Sequence, residues 1–141
     1  GHRDAMLRLA EDDMQAFGRV SAAYSMPRDT DEAKQARSTA IQQGLRGAME
    51  VPVRTLQACA ALASEAHGVI SRANRNVISD AGIALVLMQA TADAAMYNVR
   101  INAKFLKDAA YASDQQQLAD EAHARTSELV GAARALVDES M

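Results

Sequence analysis

DAGIALVLMQATADAAMYNVRINAKFLKDAA, residues 80–110, is the stretch on which the fold turns. Its apolar positions Ile83, Val86, Leu87, Ala90, Ala94, Met96 and Val99 recur at helical spacing, not with the strict alternation of a half-buried strand. They occupy more than one face, which predicts a long helix buried at the centre of a helical bundle.

The flanking sequence repeats the pattern. Met6, Ala10, Met14, Phe17, Val20 and Tyr24 form one face of a helix over 5–24. Ser25-Met26-Pro27 ends it, because the residue before proline is pushed out of the helical region. Asp29 followed by Glu32 has the form of an N-terminal capping signal for a second helix over 31–49, with Ala33, Ala36, Ala40, Ile41, Leu45 and Ala48 inward. Val51-Pro52-Val53 marks a break or kink, with Pro52 suited to the first turn of a third helix over 52–71. Val53, Leu56, Cys59, Ala60, Ala63, Ala66 and Ile70 form its inner face. A polar stretch, 71–76, leads to Ser79 and Asp80, both good N-cap residues. Ser113-Asp114 can cap a last helix over 114–138. The expectation is an all-α bundle of about five helices, one domain over residues 1–141 without internal repeats.

Composition agrees. The chain has 141 residues, with two prolines, seven glycines and no Trp, and Ala makes up about a fifth of it, against an ordinary share well below that. Small side chains in that number suit closely packed helices. The net charge of −3 comes with twelve Arg and three Lys spread along the chain, so no basic field draws nucleic acid or an anionic membrane. No apolar run reaches the length of a spanning helix. The polar N-terminus lacks a signal-peptide pattern, and Gly1-His2 is compatible with a tag remnant. The single Cys59 rules out an internal disulfide framework and fits a reducing, cytoplasmic setting.

Several candidate chemistries fall away on spacing. Glu65-Ala-His67 and Glu121-Ala-His123 resemble a metal-binding pair, but a spacing of two puts the side chains about 200° apart on a helix; they read as surface histidines. Cys59 reads as a small buried hydrophobe with no histidine nearby to activate it. No phosphate-binding glycine loop or nucleophile elbow is present. Asn98 and Asn102 stand out, four apart on one face of the long helix. Asn is a poor helix-interior residue that needs partners when buried, so the pair marks a polar groove, a subunit contact, a ligand site or an interhelical hydrogen-bond pair. Asp80 lies five turns from Asn98, about 27 Å along the axis. One small ligand cannot touch both on one straight helix; two sites, or an antiparallel second copy of the helix, can reconcile them.

Further residues carry a resemblance. They are Asp13-Met14-Gln15-Ala16-Phe17, Ala23-Tyr24-Ser25-Met26-Pro27, Arg37 through Gln42 and Ala48-Met49-Glu50-Val51-Pro52. Asn74-Arg75-Asn76-Val77-Ile78-Ser79-Asp80-Ala81-Gly82 and Asn98-Val99-Arg100-Ile101-Asn102 follow. In this order, over nearly the whole chain, they resemble the cyclodeaminase/cyclohydrolase family of folate enzymes. That family includes the C-terminal domain of formiminotransferase-cyclodeaminase and stand-alone methenyltetrahydrofolate cyclohydrolases. Its opening Pro-Gly-Gly-Gly-Ser segment, associated with the substrate site, has no counterpart in these residues. Arg28 stands where the family has Lys.

The resemblance implies an all-helical homodimer that binds a reduced one-carbon folate near the subunit interface, with no cofactor beyond that substrate. With no formiminotransferase domain attached, it tilts towards hydrolysis of 5,10-methenyltetrahydrofolate to 10-formyltetrahydrofolate. The alternatives are deamination of 5-formiminotetrahydrofolate or a non-catalytic folate-binding or dimerisation module. The roles expected on this basis are Asp80 as catalytic carboxylate, and Asn74, Asn76 and Ser79 positioning the pterin or the water. Asn98 and Asn102 hydrogen-bond substrate or orient the carboxylate from the facing chain, and Arg37 or Arg28 holds the glutamate tail through bidentate pairing. Asp13 and Tyr24 recur in the matching segments, with packing or capping as their simplest use.

Overall fold

The computed structural model describes all residues of the chain except Ser71 and Ala73. The expected helix end at Ser71 and part of the polar stretch 71–76 therefore lie outside the described residues. Among the described residues there are four α-helices and no strand: α1 (His2–Tyr24), α2 (Asp31–Ile70), α3 (Ile78–Phe105) and α4 (Ala109–Ser140), with a 3-10 turn at Arg75–Val77 before α3. None of these helices is long and apolar enough to cross a membrane.

The expected break at Val51-Pro52-Val53 does not occur. The two helices expected over 31–49 and 52–71 are one helix, α2, of 40 residues. Proline inside a helix removes the N–H that would reach the carbonyl four residues back, here that of Ala48. That carbonyl accepts instead from the side-chain amide of Asn102 on α3, at 2.9 Å. The orphaned group is satisfied from a neighbouring helix, so α2 runs on. Pro52 itself is buried, between buried Val51 and Val53.

Other boundaries shift for local reasons. The α2 start is capped by Thr30, whose Oγ1 accepts from the Ala33 amide at 3.1 Å, not by Asp29. Ser79 and Asp80 are not caps either. The N-cap of α3 is Val77, which makes no side-chain capping bond, and Asp80 sits in the first turn, where a negative charge suits the helix dipole. The helix expected over 80–110 stops at Phe105. The side chain of Gln42 on α2 donates to the Phe105 carbonyl (3.2 Å) and accepts from the Lys107 amide (2.7 Å), taking over two backbone groups at the corner. α4 then starts at Ala109, capped by Asp108, which accepts from the Tyr111 amide at 3.0 Å; Ser113 and Asp114 lie inside it.

The centre of the bundle is α2, not the 80–110 helix. It packs against α1, α3 and α4, while α3 packs on α4 along a second side. Met49, Leu56 and Cys59 of α2, Leu85, Ala92 and Val99 of α3, and Ala119, Val130 and Ala133 of α4 are buried together. Burial pushes the Cys59 thiol pKa up, which suits an inert core residue. The α1 stripe also differs from expectation. Ala16 and Ala23 are its buried residues, whereas Met14 and Phe17 are 67% and 72% exposed.

A polar cluster fastens the α3–α4 corner to α2. Arg46 pairs with Asp108 and lies 4.3 Å from the Tyr111 ring centroid. The Tyr111 hydroxyl donates to Glu50 at 3.0 Å. Burial, then this hydrogen bond to a carboxylate, pushes the Tyr111 pKa up to about 12. The folded state thus holds the phenolic proton more tightly than the unfolded chain, whose tyrosine pKa is about 10. The resulting stabilisation is complete below the unfolded value and is lost as pH rises through the folded one. Denaturant midpoints measured across that alkaline window should fall more steeply for the wild type than for Tyr111→Phe; parallel profiles would contradict this account of the corner.

Candidate functional site

α1 and α3 run side by side over α2, and a groove opens between them. It consists of two cavities, of about 480 Å³ and about 370 Å³. The first is walled by Met6, Leu9 and Ala10 of α1 and by Leu87, Ala90 and Ala94 of α3, with Pro52 and Thr55 of α2 as its floor. The second is walled by Phe17, Val20 and Tyr24 against Ile101 and Phe105, with Leu45 and Ala48 beneath. Asp13 and Asn98 line both cavities. Among the described residues, Asp13 is the one charged side chain lining either of them.

Each of these positions has a local cause. Asn102 is committed to the Ala48 carbonyl, and its fixed amide joins α3 to the floor of the groove. Asn98, one turn earlier, is exposed. The neighbouring acid Asp12 is drawn to Arg54 of α2 at 2.8 Å, which sets the rotation of α1 and leaves the next residue, Asp13, towards the groove. The Tyr24 end carries the cations. Arg37 donates through Nε and Nη2 to the Tyr24 carbonyl at 3.3 and 3.1 Å and lies 5.6 Å from the Tyr24 ring centroid. Lys104 lies 6.0 Å from the centroid of Phe105, and Arg28 is exposed in the connection between α1 and α2.

The structure thus brings Asn98 and Asn102 to one groove, sets Arg37 against Tyr24 at its end with Arg28 in the connection that follows α1, and leaves the other expected residues apart from it. Asn74 is engaged in its own turn, its Oδ1 accepting from the Asn76 amide at 3.0 Å, an Asx turn that opens the 3-10 segment. Asn76 and Asp80 are exposed at the start of α3. Ser79 lines a different cleft of about 380 Å³, between α3 and the end of α4, with Ile83, Val86, Arg134 and Asp138. The separation anticipated from helical rise therefore holds within one chain. The aromatic walls Phe17 and Tyr24 were missed as site residues because spacing alone assigns them to the apolar face of a packed helix, and Phe105 drew no reading; exposure distinguishes all three.

His2 and His123 take ordinary surface partners. His123 Nε2 lies 2.6 Å from Asp93 Oδ1, and Gln89 donates to the same oxygen at 2.9 Å. His123, then Gln89, holds the Asp93 pKa below the usual carboxylate range. Glu65 meets His2 at 2.8 Å, and Glu121 accepts from Gln117 at 3.0 Å.

The geometry is that of a helical bundle with a mostly apolar groove, one exposed carboxylate along it and cations at one end. The family pattern of formiminotransferase-cyclodeaminase matches residues 1–121, and the chain belongs to that family. It is 39% identical over 115 residues to a methenyltetrahydrofolate cyclohydrolase of Methylorubrum extorquens, covering 82% of this chain and 55% of that protein. It is 28% identical over 115 residues to the formimidoyltransferase-cyclodeaminase of Gallus gallus, covering 82% of this chain and 21% of that one. The crystal structure of a formiminotetrahydrofolate cyclodeaminase from Thermotoga maritima superposes with a TM-score of 0.84 at 24% identity, over 98% of this chain and 65% of that one, which establishes the shared fold. The chain spans about half the length of the cyclohydrolase it matches.

Proposed function

We propose that this chain serves one-carbon folate metabolism in the cytoplasm by hydrolysing 5,10-methenyltetrahydrofolate to 10-formyltetrahydrofolate. The observation that carries the reading is the groove itself: apolar and aromatic walls for a pterin and an aminobenzoyl ring, with Arg37, Lys104 and Arg28 towards one end for the glutamate carboxylates. The 39% identity to a cyclohydrolase supports the choice of reaction. The one-carbon unit is already activated as an amidinium cation, so the reaction calls for no cofactor beyond the folate.

Hydrolysis needs a group to take a proton from water, a proton for the departing ring nitrogen, and stabilisation of charge at the reacting carbon. In this reading Asn98 orients substrate or water, and Asn102 holds the floor on which Asn98 stands. Arg37 keeps α1 in place through Tyr24 while presenting positive charge to the glutamate tail. Incubating the complete protein with 5,10-methenyltetrahydrofolate and, separately, with 5-formiminotetrahydrofolate tests the assignment. Faster loss of methenyl absorbance with formation of the 10-formyl product is expected. Ammonia release from the formimino substrate without methenyl hydrolysis would establish deamination instead, and turnover of neither would leave a folate-binding or dimerisation module.

A homodimer belongs to the same proposal. Ile83, Leu87, Tyr97, Ile101 and Phe105 leave an exposed apolar stripe along α3, beside Leu7, Met14 and Phe17 of α1, and such a surface favours a partner. An antiparallel pairing of two α3 helices would carry Asp80, Ser79 and the Asn74–Asn76 turn of one copy towards Asn98 of the other, giving those residues a place at the groove. Sedimentation should show a dimer that Leu87→Glu converts to monomer; a monomeric wild type at micromolar concentration would contradict it.

A further inference from the structure

We infer that Gln42 is a positioning residue that fixes Phe105 as one side of an aromatic clamp for the aminobenzoyl ring of the folate, with Tyr24 as the other side. The inference rests on the folate reading above and goes beyond it by assigning what sets the hold on the tail of the substrate.

Its ground is the way α2 secures two helix ends across one cavity. Phe105 is the last residue of α3 and its side is 51% exposed. The last carbonyls of a helix lack intrahelical partners, and at an exposed corner water can serve them. Here a side chain does so instead. The Gln42 amide donates to the Phe105 carbonyl at 3.2 Å, and its Oε1 accepts from the Lys107 amide at 2.7 Å. Gln42 thus holds the backbone on both sides of buried Leu106. The hold is repeated one turn away on either side of Gln42: Ser38 Oγ accepts from Lys107 Nζ at 2.9 Å, and Arg46 pairs with Asp108.

The facing wall has the same construction. Tyr24 is the last residue of α1, it is 48% exposed, and it lines the same cavity as Phe105. Its carbonyl accepts from Arg37, also on α2, through Nε and Nη2 at 3.3 and 3.1 Å. Two helix-terminal aromatic residues therefore face one cavity, each held at its carbonyl by a side chain from adjoining turns of α2. A continuous helix is a stiff base, so the two rings keep a fixed relation. Paired aromatic walls suit a flat ring, and the cations beside them suit the carboxylates that follow that ring in a folate. Without Gln42 the end of α3 is free to fray, and binding must then also order Phe105, which weakens the complex. The reacting end of the substrate, placed at Asn98, is untouched.

The test uses the complete protein and separates the tail from the pterin. In Gln42→Ala, KM for 5,10-methenyltetrahydrofolate should rise about 5-fold or more, the factor that one or two ordinary hydrogen bonds are worth, with kcat unchanged. Inhibition by p-aminobenzoylglutamate should weaken by the same factor. Inhibition by 6-methyltetrahydropterin, which has no tail, should stay the same. Gln42→Glu can still accept from Lys107 but cannot donate to the Phe105 carbonyl, and should show the same rise in KM. Ser38→Ala loosens the same corner without touching Phe105 and should change nothing. In a Phe105→Ala background, Gln42→Ala should add no further rise, because the wall it positions is gone. Unchanged KM in both Gln42 variants would overturn the inference and leave the hydrolysis reading intact. Equal weakening of the pterin inhibitor, or a KM rise that persists without Phe105, would overturn it in favour of a general loosening of the corner. If the wild type hydrolyses no methenyl substrate, calorimetry with p-aminobenzoylglutamate still decides. Binding that Gln42→Ala weakens supports the clamp although hydrolysis fails, and no binding to the wild type removes the clamp.

Discussion

Asn102→Ala should destabilise the protein by about 1–3 kcal/mol, the cost of leaving a polar group without its partner, and should do so only while residue 52 is proline. The asparagine amide supplies the hydrogen bond that Pro52 cannot give to the Ala48 carbonyl. Pro52→Ala restores a backbone N–H at that point and makes the asparagine redundant for α2. Ala48 is partly buried, so water replaces the amide poorly. A double-mutant cycle read by urea denaturation should therefore give a coupling of about 1 kcal/mol or more between positions 52 and 102, well above the scatter of independent sites. Additive effects would mean that α2 passes Pro52 for some other reason.

The second large effect is expected at Gly44. Glycine inside a helix ordinarily costs about 0.5–1 kcal/mol relative to alanine, so sequence logic favours replacing it. The structure reverses the sign. A Cβ at position 44 would lie 3.2 Å from Val20 Cγ2 and 3.3 Å from Val20 Cα, and the second contact is with α1 backbone, which no rotamer change relieves. Gly44→Leu should cost about 2 kcal/mol or more by overpacking and push α1 off α2. Because α1 carries Asp13, Phe17 and Tyr24 of the groove, the proposed hydrolysis should fall with it. Gly131→Ala is the control. A Cβ there meets nothing within 4 Å, and the ordinary gain of about 0.5–1 kcal/mol should appear. Equal behaviour of the two glycines would contradict the close α1–α2 approach.

These residues also show how far the sequence could be read. The all-helical class followed from the apolar spacing of 83–99, and the marking of Asn98 and Asn102 followed from their poor fit to a helix interior; both are local properties. Continuity through Pro52 was hidden because its cause lies fifty residues away in Asn102. The end of α3 was hidden because Gln42, on another helix, takes up the backbone at Phe105 and Lys107. Periodicity showed that α1 and α3 have apolar faces but not that part of each faces a groove and solvent, so Phe17 was assigned inward. Asp13 was visible only as a recurring residue. Its isolation in an apolar groove depends on two helices, separated in sequence by α2, converging over Pro52. Asp80, prominent by motif, lies beyond the reach of that groove within one chain.

The most direct measurement is a crystal structure of the complete protein with tetrahydrofolate bound. The pterin should lie between α1 and α3 within hydrogen-bond distance of Asp13 and Asn98, with the glutamate directed towards Arg37 and Lys104. Folate density in the Ser79–Arg134 cleft, with the α1–α3 groove empty, would contradict it.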